Sequence, residues 1–373
     1  MIRPLAFFLL LFCALVSAQT VWGQLPHTGV IDNLPGAARS DFGVEIAAGE
    51  TDPATFIPVS VIRGAAPGPT VLMVAGVHGY EFSSILAAQR LADEIVPEDL
   101  SCTFIIVRVA HISAFERRSP YVNPYDRKNL NRSFPGKADG TQTQRIAWAL
   151  SSRLIPAADF VLDVHGGDGA EWLDAFVGVY GGPLASGYPA AFKFVEAMGF
   201  PNLVRYSMNT QMQVNVGRSL NRQAVAQGLP TILVEIGQNG SRAPHHVDAI
   251  VAGIKNGLHT LGMLKTPAAS KSPVAPKSRP HRYFDGTRSV RVAHAGIWTP
   301  HSAKGRPVEE GDVLGTIHDY AGQLVESVTA TASGFTLYGL AGPPVRACES
   351  VATIAIPSTR DALAPVIAAS EGN

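Results

Sequence analysis

The sequence predicts an α/β fold, a mostly parallel or mixed sheet with helices on both faces, plus a small C-terminal all-β domain. Three observations carry this. Continuous apolar runs (TVLMVAGV at 70–77, TFIIVRVA at 103–110, FVLDVH at 160–165, TILVEIG at 231–237) alternate with segments of helical apolar spacing. A strand apolar on both faces is one buried on both faces, as in a parallel sheet covered by helices. At 266–280 (TPAASKSPVAPKSRP) the pattern stops in Pro, Ser, Ala and Lys without apolar period, which reads as a linker. Beyond it, short β-type runs separated by Gly fill 283–356 with no helical period, as expected of a small barrel or sandwich.

The elements follow in order. Residues 1–18 read as a secretory leader: Arg3, an apolar run over 5–16, then Val16-Ser17-Ala18 before a mature start near Gln19. The run is too short to span roughly 30 Å of hydrocarbon as a helix, and bulky Phe12 before Cys13 argues against lipidation, so no stable membrane anchor is expected. Export to a periplasm or beyond follows. Residues 19–59 are turn-rich and carry no clear period. Helices are expected at 81–95, 142–155, around 190–198, at 219–227 and at 247–264, the last closing a first domain of 19–265. The β domain covers 281–357, and 358–373 reads as a loose or short helical tail. Without the leader two cysteines remain, Cys102 and Cys348, expected as separately buried thiols rather than a disulfide.

Composition narrows the function. Of 373 residues 46% are hydrophobic and 16% charged, the reverse of a disordered chain. The 30 Lys+Arg balance 30 Asp+Glu, so the formal charge is zero and a strongly basic nucleic-acid binder is excluded.

The chemistry-bearing residues sit where the apolar runs end, and in an open parallel sheet ligands bind at the carboxyl ends of strands. The first run leads into His78-Gly79-Tyr80-Glu81. With Glu81 opening a helix, imidazole and carboxylate can converge, and both are zinc ligands. A third, His165, ends the run 160–165; three N/O ligands with one open position make a catalytic rather than a structural zinc site. Asp163, two residues earlier, is placed to orient an imidazole, while the role of Asp168 is open. Glu235 ends the run 231–235 after apolar residues, where a carboxylate beside a metal-activated water can act as general base and acid. Between these lies 123–136 (NPYDRKNLNRSFPG), whose Asn and Arg side chains suit an anionic substrate end.

The ordered set GxHGxE after a strand, NLNRxFPG, a strand ending DxH and a later strand ending ExG resembles the succinylglutamate desuccinylase/aspartoacylase family of the zinc carboxypeptidase clan, over about 70–237. The resemblance implies a zinc carboxypeptidase-like fold, one zinc ion held by His78, Glu81 and His165, Glu235 as general base and acid, and Asn131 and Arg132 on the substrate carboxylate. Arg117, Arg118 and Arg127 compete for an upstream arginine near the scissile carbonyl. The C-terminal domain is similar in pattern to biotinyl and lipoyl carriers (308–317, 330–334), but 326–337 contains no modifiable Lys, which leaves the scaffold without carrier chemistry. The expectation is an exported zinc amidohydrolase acting on an N-acyl amino acid or a similar small carboxylate-bearing amide. Two alternatives stand beside it: a carboxypeptidase on short peptides or cell-wall fragments, and a non-catalytic envelope binding protein of the same fold.

Overall fold

The computed structural model describes residues 23–24, 35–215, 218–267, 281–301 and 305–365. The proposed leader and most of the proposed linker, from residue 268 on, lie outside the described residues. The four apolar runs form strands β4 (Thr70–Ala75), β5 (Thr103–Val107), β6 (Phe160–His165) and β10 (Thr231–Glu235), all mutually parallel in the order β5-β4-β6-β10. The chain leaves β4 to one side for β5 and returns on the other for β6, so the strand order reverses between β4 and β6, the place where such sheets bind ligands.

Strand alternation sorts the core into two layers. Val71, Met73 and Ala75 of β4 face one layer with helices Phe82–Glu94, Tyr188–Met198 and Pro244–Thr260. Leu72 and Val74 face the other, with Gln142–Ala149 and Leu220–Ala226. Helices therefore cover both faces of the sheet. The expected helix at 142–155 is regular only to Ala149, then widens into a π turn over Leu150–Leu154 and tightens over Ile155–Ala157. A proline at 156 is compatible with that tightening and not with a longer regular helix.

The region without a clear period builds the sheet's edge: β2 (Ala38–Ile46) and β3 (Thr55–Arg63) pair antiparallel, β3 also pairs antiparallel with β5, and β1 (Gly23–Gln24) runs beside β2. On the other side β8 (Phe176–Gly181) lies antiparallel to β10 and parallel to β9 (Asn202–Ser207), which makes the sheet mixed.

The C-terminal β region grows out of that edge. β11 (Arg282–Arg291) pairs parallel with β9, and β18 (Ser350–Ser358), β16 (Gly334–Leu340) and β13 (Pro307–Val308) continue the sheet in that order, each antiparallel to the strand before it. A four-stranded sheet of β12 (Gly296–Pro300), β14 (Val313–His318), β15 (Leu324–Thr329) and β17 (Pro344–Val345) packs over its end, with Val290, Trp298, Leu314, Ile317 and Ile354 between. After β18 a short helix, Arg360–Leu363, docks on the N-terminal α/β region through fully buried Leu363, whose carbonyl accepts a hydrogen bond from Tyr188 Oη.

Both cysteines are free, and one expectation is corrected: Cys102 is buried but Cys348 is exposed. Cys348 occupies a turn between β17 and β18 with φ +67, which keeps it out of the apolar layer.

Candidate active site

Three strand ends deliver the site. After β4 the backbone turns through Gly79, where a Cβ would stand 2.2 Å from the Phe115 backbone nitrogen, so only glycine fits between His78 and Glu81. The Cα register pairs Glu235 of β10 with His165 of β6. The helix after β4 is tied to the end of β10 by Ser83 Oγ, which donates to the Ile236 carbonyl at 2.6 Å. Gly237 has φ +101 and no room for a Cβ, which would lie 2.6 Å from that hydroxyl. The glycine of the ExG run thus serves this close approach.

His78, Glu81 and His165 converge, all buried, with candidate ligand atoms within 4.8 Å of one another. Nδ1 of His78 lies 2.6 Å from Glu81 Oε1, and Nδ1 of His165 lies 2.8 Å from Oε2. Both rings thus present Nδ1 to one point, and their Nε2 atoms face away to fixed partners. His165 Nε2 stands 2.8 Å from Asp163 Oδ1, and Asn221 Nδ2 donates to Oδ2 of the same carboxylate at 2.9 Å. His78 Nε2 stands 3.1 Å from Asn129 Oδ1. Burial opposes ionisation of Glu81, but His165 and His78 beside it hold its carboxyl at about 2. Glu235 is the reverse case: burial, with Glu81, Glu171 and Asp163 nearby, pushes its pKa well above the carboxylate range against the pull of His165.

A cavity of about 180 Å³ opens on this cluster. His78, Glu81, His165, Asn131, Arg132 and Glu235 all border it, so the six residues singled out in the sequence are brought together. Asn131 is buried. Its Oδ1 accepts from the Leu220 N–H at 3.0 Å and its Nδ2 lies 3.4 Å from His165 Nε2. Arg132 is exposed at the rim, with one guanidinium nitrogen on the Asn131 carbonyl. Arg117, Arg118 and Arg127 do not border the cavity, and Arg117 stacks over Tyr125. Asp168 does not border it either: its carboxylate accepts the backbone N–H of Tyr121 and of Gly169, which fixes the loop that seats Tyr121 edge-on to His78.

Sequence reasoning missed Asn129, Tyr121, Glu171 and Tyr338. Asn129 lies inside the NLNR run and could have been weighed as an imidazole partner. Glu171 and Tyr338 come from β7 (Glu171–Leu173) and β16, which pair antiparallel, and no local pattern points to either.

The catalytic-domain profile of the succinylglutamate desuccinylase/aspartoacylase family matches residues 67–261. The chain belongs to this family. One relative, the N-alpha-acetyl-L-2,4-diaminobutyric acid deacetylase of Halomonas elongata, is 29% identical over 271 residues, covering 71% of this chain and 75% of that protein. A succinylglutamate desuccinylase/aspartoacylase from Rhodobacter sphaeroides superposes with a TM-score of 0.76 at 21% identity, over 88% of this chain and 98% of that one. The product-bound ectoine utilization protein EutE (DoeB) from Ruegeria pomeroyi gives 0.74 at 23% identity, over 87% and 98%. These structures share the fold of the desuccinylase/aspartoacylase chain described above, C-terminal β region included.

Proposed function

We propose that this desuccinylase/aspartoacylase-family chain is an exported zinc-dependent amidohydrolase that cleaves the amide bond of an N-acyl amino acid. The carrying observation is the convergence of His78 Nδ1, His165 Nδ1 and the Glu81 carboxylate on one point of a cavity that also contains Glu235. Two imidazoles and a carboxylate are a zinc donor set, and the partners on both Nε2 atoms fix the rings for Nδ1 ligation. The family's hydrolases support the reaction type, and the deacetylase relative supports an acyl amino acid as substrate.

A zinc ion held by these three side chains would supply Lewis-acid polarisation of the amide carbonyl and acidify the attacking water. The chain's own groups do the rest. Glu235 takes the proton of the attacking water as its carboxylate, which the surroundings that raise its pKa make a stronger base, and then returns that proton to the departing amine. Arg132 binds the substrate carboxylate at the rim, and the buried Asn131 amide keeps the floor of the cavity polar. The cavity lies below the roughly 300–1,000 Å³ of drug-sized pockets, which favours an acyl amino acid over a longer peptide. Export rests on the leader pattern at 1–18.

The test is a substrate screen on the chain from Gln19, supplied with zinc, against N-acetyl and N-succinyl amino acids and dipeptides, read as amine release. The expected result is hydrolysis of N-acyl amino acids that stops with a chelator and returns with zinc. Turnover of dipeptides alone would favour the carboxypeptidase, and no turnover at all the binding protein.

A further inference from the structure

As water attacks an amide, the carbonyl oxygen takes up negative charge, and a donor already in place beside it is among the largest contributions to such catalysis. The arginines expected for this position, Arg117, Arg118 and Arg127, do not border the cavity. Arg132 does, and it is committed to the substrate carboxylate. Asn131 is committed as well, its Oδ1 to the Leu220 N–H and its Nδ2 toward His165.

Tyr121 is uncommitted. It borders the cavity, and its ring stands edge-on to His78, 5.5 Å between centroids, so it adjoins the ligand cluster. The other two tyrosines of the cavity, Tyr206 and Tyr338, enter from β9 and β16 on its far side. Among the described residues no group holds the Tyr121 hydroxyl, and it is not sealed from water, so it opens to the cavity.

The backbone shows that this placement is imposed. Tyr121 has φ +57, in the left-handed region that bulky side chains avoid. Such conformations persist where the surroundings over-determine them, and they cluster at functional sites. Here buried Asp168 accepts the Tyr121 N–H at 2.8 Å, and Ser119 Oγ donates to the Val122 carbonyl at 2.6 Å. Val122 bridges to Asn129, whose Oδ1 meets His78 Nε2. A glycine would relax this turn, so the conformation serves the side chain. A phenol is protonated at neutral pH. Burial, with Glu171, Asp168, Glu81 and Glu235 nearby, pushes this one further above its ordinary range, so it stays a donor.

We propose that Tyr121 is a further catalytic residue, whose hydroxyl donates a hydrogen bond to the amide carbonyl oxygen as charge builds there. The proposal rests on the deacylase reading, and the test separates the two. The water oxygen bonds to the carbonyl carbon, the C=O electron pair shifts onto the oxygen, and Glu235 holds the water's proton. When the pair returns, the C–N bond breaks and the amine leaves with that proton. Tyr121 keeps its own proton throughout.

The test compares wild-type and Tyr121→Phe chains, both zinc-loaded. Phe keeps the ring and removes the donor. The probes are N-acetyl-L-alanine, its product L-alanine, and a phosphinate counterpart in which tetrahedral phosphorus with two oxygens replaces the attacked carbonyl and CH2 the amide nitrogen. Tyr121→Phe is expected to lower kcat about 10- to 100-fold, the weight of one hydrogen bond to a charged group, with KM and zinc content unchanged. By calorimetry the phosphinate should bind more weakly by the same factor, and L-alanine as in the wild type. Both affinities are read on one sample, so a misfolded fraction alters the stoichiometry and not their ratio. Unchanged kcat and phosphinate affinity would overturn the donor role and leave the deacylase reading standing. So would a rise in KM with equal losses of phosphinate and L-alanine affinity. Phosphinate binding that depends on the Tyr121 hydroxyl, without hydrolysis of any N-acyl amino acid, would overturn the deacylase reading and keep the donor site. Neither phosphinate binding nor hydrolysis would overturn both.

Discussion

The floor of the cavity is made by the ends of three neighbouring parallel strands, β4, β6 and β10, whereas its outer wall is made by β7 and β16, joined antiparallel from distant parts of the chain. The floor contributes His78, Glu81, His165 and Glu235, and the wall contributes Glu171, Leu173 and Tyr338. Floor residues are tied to each other and to rigid elements: Asp163 and Asn129 hold the rings, and Ser83 holds the helix to β10. Wall residues instead pack on strands outside the floor, as in the stacking of Tyr338 on Phe176 of β8. The difference assigns reaction to the floor and selection to the wall, so changes in the two should separate kinetically.

The largest effect should come from the floor. Glu235→Gln should lower kcat by about 10²–10⁴-fold, the usual weight of general acid–base catalysis, while metal content stays at the wild-type level. Full turnover in that variant would remove Glu235 from the reaction.

Asp163→Asn comes next. It keeps the shape beside His165 but loses the charge, and metal affinity should fall about 10- to 100-fold, measured by competition with a chelator. Unchanged affinity would mean that Asp163 serves Asn221 and the core rather than the imidazole.

A wall change should be milder and of a different kind. Tyr338→Ala removes a ring that borders the cavity; loss of one aromatic contact to substrate, about 0.5–1.5 kcal/mol, corresponds to a rise in KM of about 3- to 10-fold with metal binding intact. A fall in kcat at unchanged KM would break the division between floor and wall.

The smallest expected effect is a thiol contrast away from both. Burial pushes the Cys102 thiol up to about 12, so it carries almost no thiolate at pH 8, while Cys348 is exposed. Labelling of the native chain should modify Cys348 alone, and Cys102 only after unfolding. Prompt labelling of Cys102 would show that the sheet beneath the floor opens readily.

The same division explains what could be read from the sequence. The floor is local: each of its groups lies at or just beyond an apolar run, and doubly buried strands in parallel order place those ends side by side. His78, Glu81, His165 and Glu235 were therefore legible as strand-end groups, as were the helices on both faces, whereas Asn131 and Arg132, in the loop 123–136, were assigned through the family resemblance. The wall is not local. Glu171 follows a glycine-rich stretch with no period, and Tyr338 becomes a cavity residue only through the pairing of β16 with β7. The edge strands β2 and β3 were obscured for a related reason. Polar and small residues such as Arg39, Ser40, Asp41 and Ser60 interrupt their apolar pattern, and they are satisfied by distant partners: Ser60 and Arg108 both meet Asp41. Cys348 was misplaced because turn geometry, not hydrophobicity, sets its exposure.

The central claim is that His78, Glu81 and His165 form one metal site, and metal analysis of the purified chain from Gln19 beside His165→Ala tests it most directly. The account predicts about one zinc per chain in the wild type, lost in the variant while the fold, followed by circular dichroism, is kept. A wild type that holds no metal and takes up none when zinc is added would contradict it.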